Sequence, residues 1–173
     1  MNLRTYHLPH IALLLAVSLF SFLIVNAQEK PASILTGTDL TRVVPTSFYF
    51  QGQTAPTQMR NAMAARLATD RHVIAGLVDT SGYSSDVRAK YEGFLIADSP
   101  IQIGGADLAT GAYGFGFTDD GKLNVFDVGG KQVLSVSTIN DKVFNRPRPL
   151  LLRNEKQELR FYNGRNYAVV SIK

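Results

Sequence analysis

From residue 94 onward the chain is cut into short runs of β-branched and aromatic residues by closely spaced turn clusters, and this punctuation constrains the fold more than any other feature. Asp119-Asp120-Gly121, Gly129-Gly130-Lys131 and Asn163-Gly164-Arg165 each place glycine where a tight hairpin needs positive φ. The runs between turns, 94–97, 101–103, 112–118, 122–128, 132–137, 150–153, 157–162 and 166–172, are too short for helices and have the composition of strands. The expectation is an all-β domain, an antiparallel β-barrel or β-sandwich of about ten short strands with one or two short helices.

The first half supports the same class. Residues 46–51 are aromatic and end at Gly52, as a half-buried strand does, whereas 53–58 contains Pro56 and reads as a loop. Residues 61–68 are Ala-rich and favour helix on propensity, yet they lead through Asp70-Arg71 into the β-branched run 72–78, so a hairpin is expected. Thr38 is expected to cap a helical turn that Pro45 ends, and Ser84 or Ser85 a short helix over 86–91. Residues 146–149, Arg-Pro-Arg-Pro, must be extended, because each proline restrains itself and its predecessor. Period-two alternation then places Phe48, Phe50, Ile74, Leu77, Phe94, Ile96, Tyr113, Phe115, Phe117, Val125, Phe161 and Val169 in the core.

The first 27 residues have a different character. Arg4 precedes an apolar run over 11–25, and Val25-Asn26-Ala27 puts small residues where a signal peptidase reads them. The run is shorter than the roughly 20 apolar residues a membrane span needs, so cleavage after Ala27 is expected over retention as an anchor. The expected organisation is a signal peptide over 1–27, a leader over 28–45 and a single β domain over 46–173, located in the periplasm or secreted.

Composition removes most catalytic chemistries. The chain has no Cys, so disulfides, thiolate nucleophiles and cysteine-bound metals are all excluded, and an exported domain without disulfides suits a bacterial envelope. Of three His, His7 and His10 leave with the signal peptide, and His72 alone cannot build a His-rich metal site or serve more than one triad. Neither a Gly-x-Ser-x-Gly elbow nor a complete phosphate-cradling loop, Gly-x-x-x-x-Gly-Lys followed by Ser or Thr, occurs. No cofactor and no metal are expected, and the small net charge of +4 with an export address argues against nucleic acid.

Four features remain as candidates. Leu77-Val78-Asp79-Thr80-Ser81-Gly82 resembles the active-site turn of aspartic proteases, in which two apolar residues lead into Asp-Thr-Gly. That resemblance implies a dimer pairing two Asp79 carboxylates around one proton, although Ser81 stands where the family has glycine. A strand exit in which Asp79 bonds the backbone two residues on gives the same sequence. In Gly111-Ala112-Tyr113-Gly114-Phe115-Gly116-Phe117 one strand face carries Tyr113 and two phenylalanines and the other only Ala112, Gly114 and Gly116. The bare face admits a neighbouring bulky side chain, a bend or a ligand. Asp127 follows Val125-Phe126 within a strand and needs a partner, such as Arg60 or Arg66, if it faces inward. Arg146 and Arg148, with Lys142 and Arg153, form a basic stripe suited to lipid headgroups, acidic glycans or peptidoglycan carboxylates.

Residues 101–113, an apolar strand, a Gly-rich turn, Leu108 and then Gly111-Ala112-Tyr113, resemble uncharacterised exported bacterial β-sandwich proteins. The resemblance implies a secreted β fold and brings no activity with it. The function expected is a non-catalytic envelope domain binding a small ligand or envelope partner, with Tyr113, Gly114, Gly116, Asp127, Arg146 and Arg148 as candidate contacts. The alternative is an acid-based hydrolase that uses Asp79, aspartic-protease-like as a dimer or as half of a glycosidase-like carboxylate pair.

Overall fold

The computed structural model describes residues 32–67, 70–156 and 158–173; the export segment lies outside the described residues. The chain folds into two open antiparallel sheets packed face to face, an all-β sandwich. The larger sheet runs in the order β1 (Ser33–Ile34), β3 (Gln53–Arg66), β4 (His72–Val78), β5 (Gly93–Ala97), β8 (Gly111–Phe117), β9 (Lys122–Phe126) and β10 (Gln132–Ser137), with β2 (Ser47–Phe50) added along β3. The smaller runs β12 (Arg148–Glu155), β13 (Glu158–Gly164), β14 (Asn166–Ile172), β6 (Ile101–Ile103) and β7 (Ala106–Leu108), and β11 (Ile139–Asn140) pairs with β14. β12 lies beside β3 and β10 beside β7, so the sheets approach along both edges without closing into a barrel.

Alternation does the sorting. Ala65, Val73, Leu95, Phe115 and Val125 from the larger sheet meet Ile103, Leu152, Phe161 and Val170 from the smaller in the central core. Each such side chain taken fully out of water contributes about 1.5–3 kcal/mol, less for alanine. Intervening residues of the larger sheet, Ala64, Ile74, Phe94 and Phe126, point the other way into a second apolar layer. Its lid is a short helix α1 (Gly37–Val43) with Leu35 and Val44 at its ends, the edge strand β2, and the segment around α2 (Ser85–Arg88) that contributes Tyr83 and Tyr91. Phe50 stacks on Tyr91 at 4.0 Å and Phe48 on Phe94 at 5.0 Å. The central strands of the larger sheet are thus buried on both faces, which explains the near-continuous apolar run of His72–Val78.

Several local expectations change. Residues 53–58 are strand rather than loop. Pro56 is tolerated because its carbonyl turns away from β2 to accept the Asp79 N–H at 2.9 Å, where β4 has ended, so no rung of the β2–β3 ladder lacks a donor. The Ala-rich 61–66 stretch pairs antiparallel with β4, Ala62 opposite Gly76 and Arg66 opposite His72, because the small side chains are those that fit between two buried layers. Helix α1 starts after Thr36, not Thr38, and neither it nor α2 has a side-chain cap. Of the expected core, Leu77, Ile96, Tyr113, Phe117 and Val169 are half-buried, at the rims of the layers or, for Val169, on the outer face of the smaller sheet.

One polar pin joins the sheets. The half-buried Glu92 carboxylate accepts the Phe117 N–H at 3.0 Å on β8 and the Asn163 side-chain amide at 3.2 Å on β13. Burial pushes its pKa up, and the Phe117 hydrogen bond opposes this.

Candidate functional site

The sequence-derived candidates are dispersed. Asp79 lies at the end of β4, fully exposed, and accepts the Ser81 N–H at 3.0 Å. That bond holds its carboxyl below the ordinary value, which suits a turn cap. Asp127 is likewise a turn cap: its Oδ1 accepts from Gly129 at 3.0 Å and Lys131 at 2.9 Å, with neither Arg60 nor Arg66 involved. Tyr113 donates to the Ala109 carbonyl at 2.9 Å, closing the turn before its own strand.

Gly114 and Gly116 do present a bare face, and protein fills it. A Cβ at Gly114 would stand 2.5 Å from the Phe50 ring and 3.1 Å from Tyr91, and one at Gly116 would strike the Lys90 carbonyl. Glycine here lets the second apolar layer reach the sheet, and the face is packed shut.

Arg146 and Arg148 lead to a different region. Between β10 and β12 residues 138–147 form a strap across the outer face of the smaller sheet. It is stitched down by the β11 pairing, by Asp141 N–H to the Arg165 carbonyl at 2.9 Å, and by Arg165 Nε to the Phe144 carbonyl at 3.2 Å. Alternation on β13 and β14 sends Arg160, Tyr162 and Tyr167 to this outer face while Phe161 and Ala168 face the core. Tyr162 is fully covered: Phe144 packs on it at 5.0 Å and Tyr167 at 4.9 Å.

Beneath the strap lies a charged network. The Tyr162 hydroxyl stands 3.0 Å from Asp141 Oδ2 and 3.2 Å from Glu155 Oε2. One phenol proton serves one carboxylate at a time, and Glu155 is met independently by Arg160 Nη1 at 3.2 Å. Arg160 also donates to Glu158 at 2.9 Å and lies 4.5 Å above the Tyr167 ring. Burial raises the Tyr162 pKa, with Arg160 opposing. Arg160 itself, hydrogen-bonded to Tyr162 and Glu158, is held further into its charged form.

Two adjoining clefts open along the strap, of about 320 and 380 Å³, and share Asp141, Val143 and Glu155. Five cations line them, Lys142, Arg146, Arg153, Lys156 and Arg160, against the carboxylates of Asp141 and Glu155. Arg146 is exposed on the rim, and Arg148, also exposed, begins β12 opposite Gly164. The Arg-Pro-Arg-Pro stripe is visible in the sequence, whereas Asp141, Val143, Phe144, Lys156, Arg160 and Tyr162 join it only through the fold. The available clue was 158–163, Glu-Leu-Arg-Phe-Tyr-Asn, where a long side chain occupies every outward position as well as every inward one. Such a strand needs cover on both faces, and among the described residues the strap supplies it on the outer one. No protein family, curated protein or solved structure matches this chain.

Proposed function

We propose that this chain is a non-catalytic, exported binding module of the bacterial envelope, an example of the β-sandwich type that residues 101–113 resemble, and that it takes an anionic partner in the strap groove. The observation that carries this reading is the charge state of the clefts. Their two carboxylates are engaged internally, Asp141 with the Tyr162 hydroxyl and Val143 N–H, Glu155 with Arg160 and Arg153. Lys142, Arg146 and Lys156 form no ion pair among the described residues. Cations gathered around a concave surface, without partners of their own, focus a positive field on it. Export is supported by the layout of residues 1–27.

The test is retention on phosphocellulose near physiological salt. The protein is expected to be retained and released by added salt, and Lys142→Ala/Arg146→Ala is expected to elute much earlier. Arg88→Ala/Lys131→Ala, which removes equal charge far from the strap, should elute close to wild type. Equal loss in both double variants would mean that net charge alone is at work and would overturn the assignment of the site.

A further inference from the structure

We infer that the anionic partner is the surface of a lipid bilayer, and that Val143 is the side chain that enters its apolar boundary. This rests on the anion-binding reading and narrows it. Val143 is 82% exposed, whereas the other exposed large hydrophobics of the described residues lie between 37% and 53%. It belongs to both clefts and so stands on the ridge that separates them. Lys142 precedes it and Arg146 follows three residues later, and Ile139, 51% exposed, lines one of the clefts.

The exposure is built in. Val143 N–H donates to Asp141 Oδ1 at 3.2 Å and Phe144 N–H to the Asp141 carbonyl at 3.3 Å, so the tip is a formed turn. Phe144 is committed to covering Tyr162, and Val143 beside it stays in solvent. A free anion seated in a cleft gains nothing from an aliphatic crest beside it. A sheet of anionic headgroups accounts for both features, with headgroups beside the cations in the clefts and the crest at the acyl boundary. One valine and a few cations give weak, reversible and salt-sensitive attachment.

The chain has no Trp, so Val143→Trp supplies a single fluorescent probe at the crest. On phosphatidylglycerol vesicles its emission is expected to shift to the blue and to be quenched by brominated acyl chains, with neither effect on phosphatidylcholine vesicles. Val133→Trp, at an exposed site on β10, is expected to stay in water on both. With native Val143, Lys142→Ala/Arg146→Ala should lower partition onto phosphatidylglycerol vesicles about thirtyfold, at about 1 kcal/mol per cation. Val143→Ser should lower it roughly tenfold. An unshifted Val143→Trp on phosphatidylglycerol, or an equal shift of Val133→Trp, overturns the inference. Retention on phosphocellulose without vesicle binding overturns the bilayer and leaves the anion site standing; failure of both overturns the two together.

Discussion

Glu92 shows how a single residue sets a condition on the whole sandwich. Its folded-state pKa lies above that of the unfolded chain because burial disfavours the carboxylate. The group therefore contributes stability while protonated, below its ordinary range, and that contribution is lost as pH rises through the raised value. Glu92→Gln keeps an acceptor for the Phe117 N–H and removes the charge. In urea denaturation the variant should be more stable than wild type at about pH 7 and close to it at about pH 3, and an equal difference at both would contradict this account. Gly114 is the second informative position. Gly114→Ala forces its Cβ into the stacked Phe50 and Tyr91 rings, at a cost of about 1–3 kcal/mol in the same assay. An unfilled ligand groove would tolerate the methyl group without loss. The sequence displayed the bare glycine face openly, but the side chains that fill it come from residues more than twenty and more than sixty positions away, a distance that period-two reasoning does not reach.

At the scale of elements, the strap and β3 illustrate what local pattern reveals and conceals. Strands β6, β10 and β14 have the bounds read from sequence, since each is a run of apolar alternation between turn residues. β3 does not, because Pro56 reads as a break unless one knows which way its carbonyl points. Only 146–149, the end of the strap and the start of β12, was legible as extended and basic, while the aromatic and charged surface the strap covers is contributed by β12, β13 and β14 together. Tyr162 is the joint between them. Tyr162→Phe removes the hydroxyl shared by Asp141 and Glu155 and should cost about 1–2 kcal/mol. The loss should appear locally as well, as faster amide hydrogen exchange at Val143 and Phe144 with little change in the central strands of the larger sheet. Uniform acceleration across both sheets would mean that Tyr162 supports the sandwich rather than the strap.

Across the whole molecule, the two sheets share one core, and each outer face carries a cover of its own kind. Over the larger sheet the cover is apolar: α1, β2 and Tyr91 seal a second hydrophobic layer in which aromatic stacks add about 0.5–1.5 kcal/mol each. Over the smaller sheet the cover is the strap, which seals Tyr162 and leaves charged clefts at its margins. This asymmetry is why recognition is proposed for the strap side, since Asp79, Asp127 and the glycine face serve turns and packing. The most direct test is a nitrogen-15 NMR titration of the protein with short inorganic polyphosphate. The account predicts amide shift changes concentrated at 139–146 and 153–160, fading as salt is raised. Changes concentrated instead around Asp79 or along Gly111–Phe117 would contradict it.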